Sequence, residues 1–262
     1  MTEAERQAVL WRHWVDDFDD VYASLDPVDA AEFLVGIAGA GPVLELGVGT
    51  GRVAIEVARR GPTVVGVDIV PEMLRELEAK RGDLPVETVH ADMTTVRLDR
   101  RFTLVYLVDS SLFHVTEQDS QVECLRNAAR HLVDGGAIVV ESIVPWADLL
   151  RERRQLYLAN MSDDRVDVTA ITTDTAVQTM MFQEVTLRRD GTRLLPVFER
   201  YCWPSELDLM ARLAGMRQEI RYENFARAAY TRRSRNQVSV YRHPGRVSGA
   251  DELAAGRTDA LP

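Results

Sequence analysis

The sequence is short of lysine, of cysteine and of long apolar runs, and each shortage excludes something. Lys80 is the only lysine, so the positive charge is carried almost wholly by arginine. Acids outnumber bases, 41 to 31, for a net charge of −10. Proteins that bind a polyanion do so through basic surface, so a nucleic-acid partner is not expected. Arg232, Arg233 and Arg235 make only a short basic patch, as a solvated loop does. Two cysteines, Cys124 and Cys202, lie too far apart to suggest a disulfide framework or a zinc site, and no metal is expected. No stretch approaches the roughly 20 apolar residues that a membrane helix needs. The opening residues Met1-Thr2-Glu3-Ala4-Glu5-Arg6 lead into no apolar signal core. The expectation is a reduced, cytoplasmic protein with no membrane partner.

What is present is ordinary globular material. Over 262 residues, 46% are hydrophobic and 27% charged, which supports a core without covalent staples. Residues 1–40 read as amphipathic helices, with Trp11, Trp14, Val15, Phe18, Val21 and Tyr22 on recurring turns. Short apolar runs then alternate with helical patterns: strands at 42–47, 63–68, 86–90, 104–108 and 137–141, helices at 50–59, 71–77 and 117–132. Gly135-Gly136 reads as the end of the last of these helices. Such alternation predicts right-handed βαβ units and a parallel sheet covered on both faces. After residue 145 the rhythm breaks. Trp146, Leu149, Leu150, Arg153 and Tyr157 fit one amphipathic helix. Strands at 166–171, 177–187 and 195–202 follow, with Asp190-Gly191 as a hairpin signal. A helix from Pro204 to Ala214 and strands at 216–222 and 238–241 complete the pattern. The expected architecture is α/β, one domain over 1–243: a helical segment 1–40, a core 41–144, an antiparallel β insertion 145–202 forming a cap, and a return to the core at 203–243. Residues 244–262 are expected to form a flexible tail.

The chemistry concentrates in Glu45-Leu46-Gly47-Val48-Gly49-Thr50-Gly51-Arg52, a strand, a glycine turn and a helix start. Glycines there allow positive φ and close approach by a ligand, and the helix N-terminus favours a negative group. The spacing E-x-G-x-G-x-G departs from the dinucleotide pattern G-x-G-x-x-G. Asp68 closes the second strand, where a carboxylate accepts from ribose hydroxyls. Asp92 ends the third, where it accepts from an adenine amino group beside the Met93 N–H. Either acid alone is as readily a helix cap; the three features together, at the carboxyl ends of successive strands, indicate a nucleoside site.

On these residues the sequence resembles the class I S-adenosylmethionine-dependent methyltransferases. The resemblance covers about residues 40–145 and includes Phe102 to His114 as the segment where cofactor meets substrate, and Leu132-Val133-Asp134-Gly135-Gly136 before strand five. It implies a doubly wound, mostly parallel seven-stranded sheet with an antiparallel last strand. It also implies S-adenosyl-L-methionine as cofactor, held by Glu45, Gly47, Gly49, Gly51, Arg52, Asp68, Ile69, Asp92, Met93 and Val108. Arg200 to Leu207 and the insertion resemble enzymes acting on amino sugars and other natural-product scaffolds.

Methyl transfer from a sulfonium is an in-line displacement, so the protein must align three atoms and exclude water. A hydroxyl acceptor needs a base; an amine deprotonated on binding does not. His114 is the first candidate base and Asp109 the second, although Asp109 can equally hold a helix end or the cofactor. Arg52 either meets the methionyl carboxylate or stays solvated. Tyr22, with Trp14 and Phe18, either folds over the sulfonium or forms a packing stripe. Tyr22, Ser111, Trp146 and Tyr201 are the expected acceptor-binding residues, with Tyr157, Met180, Met181 and Phe182 lining or supporting the cavity. His13, His90, His131 and His243 are assigned no chemistry. The expected activity is transfer of a methyl group to an O or N atom of a small-molecule acceptor. A silent nucleoside-binding protein of the same fold and a nicotinamide-dependent oxidoreductase are the competing readings. A homodimer can form if insertion strands pair across a two-fold axis.

Overall fold

Five short runs of valine, leucine and isoleucine form the centre of a sheet: β1 (Val43–Leu46), β2 (Val64–Asp68), β3 (Val86–His90), β4 (Phe102–Leu107) and β5 (Leu132–Ile143), all parallel to their neighbours among the five. The computed structural model describes residues 1–23 and 25–243; the expected tail 244–262 lies outside the described residues. Two later strands, β10 (Arg217–Tyr222) and β11 (Asn236–Arg242), extend the sheet, and β11 runs antiparallel to both β5 and β10. The strand order is β10-β11-β5-β4-β1-β2-β3, seven strands and mostly parallel, as expected. Order reverses between β1 and β4, and their carboxyl ends open the crevice where α/β sheets bind ligands.

Alternate residues of these strands enter two apolar layers. Leu44, Val105, Leu107 and Ile138 face α6 (Gln118–Arg130) and α8 (Pro204–Leu213). Val43, Leu104, Tyr106 and Val139 face α3 (Val28–Ala38) and α4 (Arg52–Arg59), where Leu74 and Leu77 of α5 (Pro71–Arg81) join them. The glycine pair 135–136 falls inside β5 rather than at the helix end; α6 already stops at Arg130, and the β4–β5 register slips over that stretch.

The insertion is a four-stranded antiparallel sheet in the order β6-β7-β8-β9: β6 (Arg154–Met161), β7 (Arg165–Asp174), β8 (Thr179–Arg188) and β9 (Gly191–Arg200). Arg188 pairs with Gly191, so Arg189-Asp190 is the tight turn of the expected hairpin. The expected helix through Tyr157 is corrected: α7 spans only Ala147–Arg151, and Tyr157 lies on β6. Gln155 Nε2 donates to the Leu149 and Glu152 carbonyls at 2.6 and 3.1 Å, taking up the helix-end acceptors. The chain then pairs along the whole of β7, which a helix here would leave as an open edge.

Two N-terminal helices, α1 (Glu3–Arg12) and α2 (Phe18–Tyr22), cross from the insertion to the glycine turn. Gln7 Nε2 donates to Phe198 O at 3.0 Å, and Trp14 Nε1 to Pro196 O at 2.9 Å. Glu3 Oε1 accepts from the Thr116 hydroxyl at 2.8 Å, from the Thr116 N–H, and from the Glu117 N–H at 3.1 Å, which pins the chain just before α6. Asp19 accepts from the Thr50 hydroxyl and from Lys80. Among the described residues no helix is long and apolar enough to cross a membrane.

Candidate active site

A cavity of about 320 Å3 sits at the carboxyl ends of β1, β2 and β4, roofed by α1 and α2. Its floor is the glycine turn. Gly47 and Gly49 have φ of 82° and 54°, a region that strains any side chain. A Cβ at Gly47 would come within 2.9 Å of Ser111 Oγ, and one at Gly49 would meet only the Phe18 ring, at 3.6 Å. Gly51 differs: its Cβ would fall 2.1 Å from Leu77 Cδ1, so this glycine serves helix–helix packing and does not line the cavity.

Asp68 joins floor to wall. Its Oδ2 accepts the Gly49 N–H at 2.8 Å and its Oδ1 the Val70 N–H at 2.9 Å. Burial raises its pKa, and these backbone donors pull it back. Each oxygen keeps a second lone pair for a hydroxyl. Asp92 Oδ1 accepts from the Thr94 N–H and hydroxyl, both at 2.7 Å. Glu45, Ile69, Met93 and Val108 line the same space. Glu45 is fully buried and accepts from the Tyr106 hydroxyl at 2.9 Å; burial still pushes it up to about 8.

Arg52 enters from α4. Its Nη2 pairs with Asp109, its Nη1 donates to Leu25 O at 2.9 Å, and its Nε is buried with no partner. Asp109 and Ser110 both have positive φ, 52° and 58°, rare for residues with side chains. Glu141 of β5 fixes this turn: its Oε2 accepts the Asp109 N–H at 2.5 Å and its carbonyl the Ser110 N–H at 3.3 Å. Burial, with the Asp109 charge behind it, pushes Glu141 up to about 7.

The acceptor side has different composition from that expected. Tyr22, Phe18 and Trp11 line the cavity, and Phe18 stacks on Tyr22 at 4.5 Å. Trp14 instead packs into Val70, Met73, Leu195 and Val197. Ser111 lines the cavity but spends its hydroxyl on Val108 O. Trp146 and Tyr201 lie outside it. The Trp146 ring sits under Arg235 at 5.0 Å, and Tyr201 packs in the sheet core and edge-on to Trp203. His114, on a 3₁₀ turn (Ser111–His114), lines the cavity and meets Trp11 edge-on at 4.6 Å. Its Nδ1 is 3.7 Å from Glu199 Oε1.

Sequence reasoning missed Trp11, Gln7, Glu141 and Glu199 as site residues. One signal was readable: in β9 the inward positions are Leu195, Val197 and Glu199, an acid on an otherwise apolar face. His131 is a packing residue, bonded to Asn127 O and the Leu98 N–H, and His90 bonds Ile69 O.

The cradle fits an adenosyl donor: a turn that side chains would fill, two acids at strand ends, and an unpartnered guanidinium nitrogen for a carboxylate. Comparison with known proteins agrees. A family model described as "Methyltransferase domain" matches residues 43–136. The cypemycin N-terminal methyltransferase of a Streptomyces species is 34% identical over 203 residues, 76% of this chain and 81% of that protein. The CcbJ methyltransferase from Streptomyces caelestis superposes with a TM-score of 0.81 at 34% identity, covering 88% of this chain and 97% of that one. S-adenosylmethionine-bound CalS10, an amino pentose methyltransferase from Micromonospora echinaspora, shares the fold at TM-score 0.62 and 18% identity, over 90% and 95% of the two chains. These matches set the nicotinamide reading aside, and the chain belongs to the class I S-adenosylmethionine-dependent methyltransferases.

Proposed function

We propose that the chain methylates the nitrogen of an amine on a small-molecule acceptor, a natural-product intermediate, held beneath α1 and α2. The supporting observation is the set of buried carboxyl groups in and behind the cavity wall. Glu45, Asp109 and Glu141 lie around one guanidinium, Arg52, Glu199 stands beside His114, and burial raises the pKa of the three glutamates. Burial holds Glu45 and Glu199 protonated near neutrality, and an entering ammonium favours their ionised forms and is favoured by them in return, a gain that a neutral alcohol does not bring. The name of the cypemycin relative, an N-terminal methyltransferase, points to nitrogen as well.

S-adenosylmethionine supplies a methyl group already activated by the sulfonium charge. In this reading Asp68 and Asp92 hold its nucleoside, and Gly47 and Gly49 let the backbone approach it. The Arg52 Nε, buried without a partner, meets its carboxylate. Asp109 steadies Arg52, and the Trp11, Phe18 and Tyr22 rings exclude water. His114 is the group placed to take the acceptor's proton. Incubation with methyl-labelled donor, a panel of amines and matched alcohols tests this. Label is expected on amines. Label on alcohols alone overturns the nitrogen assignment, and S-adenosylhomocysteine binding with no label on any acceptor restores the silent nucleoside-binding reading.

The two cysteines are buried free thiols, and we place the protein in the reducing cytoplasm. We also infer a homodimer through the insertion sheet. Leu158, Val168, Val185 and Leu194 stand in register across all four strands, on the face opposite buried Ile171, Met180 and Val197. Leu156, Leu158 and Leu194 are 72%, 61% and 56% exposed.

A further inference from the structure

Of the five buried side-chain polar atoms without a partner among the described residues, three belong to residues that line the cavity: Arg52 Nε, Gln7 Oε1 and His114 Nδ1. Arg52 is accounted for at the donor end. The other two lie at the opposite end, where α1, β9 and the 3₁₀ turn meet. Gln7 Nε2 is anchored on Phe198 O, next to Glu199, which leaves Gln7 Oε1 as an uncommitted acceptor. Glu199 is 7% exposed, and its carboxyl makes no hydrogen bond with any described residue. Its carboxyl approaches His114 Nδ1 at 3.7 Å, just beyond hydrogen-bond distance. Apo catalytic hydrogen bonds are often this long and tighten when the site closes.

We propose that Glu199 is the positioning residue for His114: its carboxylate takes the Nδ1–H and so directs a lone pair at Nε2 toward the acceptor amine. This rests on the amine reading above. The ammonium gives one proton to His114 Nε2, and its freed lone pair forms the N–C bond as the C–S bond breaks, that electron pair staying on sulfur. The imidazolium, balanced by the Glu199 carboxylate, then releases its proton to solvent. Gln7 Oε1 is free to accept a second N–H of the same amine.

The surroundings leave Glu199 as the acid that governs His114. From β5, Glu141 is committed to the Asp109 N–H. From α6, the facing side chain is uncharged Gln121, bound to Leu112 O and Arg200 O. Arg200 itself turns away, to Gln121 and Glu206. From α1, Glu3 is committed to Thr116 and Glu117, and Trp11 closes the ring's other side. From α2, Tyr22 is a phenol whose ionisation burial opposes. Burial pushes His114 down to about 3 and Glu199 up to about 8, so near neutrality both groups are uncharged. In that form Glu199 donates to Nδ1 and the Nε2–H faces the cavity. Loss of one proton from the pair converts it to the productive tautomer, and an incoming ammonium favours that loss.

The test is nitrogen-15 NMR of His114 in the enzyme loaded with S-adenosylhomocysteine. In wild type the tautomer should switch from Nε2–H to Nδ1–H as pH rises through about 8. Glu199→Gln should show no such switch between roughly pH 6 and 10 and should lower amine turnover about 10²-fold, the scale of proton-transfer catalysis. Glu199→Asp should restore the switch and part of the rate. No switch in wild type, or the same switch in Glu199→Gln, overturns the assignment. The wild-type measurement stands if the variant does not fold, and it needs no acceptor. It is therefore separate from the labelling experiment, whose failure would strike the amine reading itself.

Discussion

Asp68 serves two masters, the glycine turn and the far wall of the cavity. Its two oxygens accept from Gly49 and Val70, so the carboxylate fixes the backbone that the nucleoside must approach. Asp68→Ala removes both bonds and the paired acceptor for ribose. S-adenosylhomocysteine affinity should fall by about 2–3 kcal/mol, the range for hydrogen bonds to a charged group, or roughly 30- to 150-fold. Calorimetry on the folded variant checks this; unchanged affinity would take Asp68 out of the donor site. At the same scale, Glu199 and Gln7 show why part of the site escaped a reading of the chain. Glu199 and His114 are distant in sequence, and only the meeting of β9 with the 3₁₀ turn brings them to 3.7 Å. Arg52 was readable as a cation past the glycine turn, but not as the partner of Asp109, for the same reason.

Elements whose apolar pattern is set by burial on both faces were legible. The strands β1, β2 and β4 are nearly all buried, and their unbroken valine and leucine runs announce it. β6 was illegible because it is an edge: Leu156, Leu158 and Met161 face out, and the upstream helical spacing ran on into it. The aromatic residues of 1–22 were equally ambiguous, since a stripe for packing and a roof for a cavity share one period; Trp14 took the first role and Trp11 the second. The roof has its own weak point. Glu3 ties α1 to Thr116 and Glu117, just before α6, through three bonds. Glu3→Ala should cost about 0.5–1.5 kcal/mol, the net worth of a hydrogen bond, and should speed amide exchange in α1. Acceptor KM should rise more than donor affinity falls, because α1 supplies Gln7 and Trp11 and no residue of the glycine turn. Equal losses for both ligands would show that α1 acts on the whole cavity and not on the acceptor end.

At the scale of the molecule, the net charge of −10 and the apolar outer face of the insertion sheet pull in opposite directions. Two copies repel at long range, while Leu156, Leu158, Leu187 and Leu194 lose contact with water if the faces meet. Burial of apolar surface returns about 25 cal/mol per Å2 and is insensitive to modest salt, whereas repulsion between exposed charges is screened within about 10 Å at 0.1 M. Self-association should therefore strengthen from low to moderate ionic strength, the opposite of a pairing held by ion pairs. Sedimentation of the wild-type chain at tens of micromolar and two salt concentrations measures it. Leu158→Glu with Leu194→Glu should leave a monomer, since each carboxylate would be buried without a partner. The cavity is built wholly within one chain and opens on the other side of the insertion sheet, with Glu199 on the inward face. The monomeric variant should then keep its donor affinity and its turnover per chain. A wild type that sediments as a monomer under both conditions would assign the apolar row to some other surface, and a double variant that stays dimeric would move the two-fold axis off this sheet.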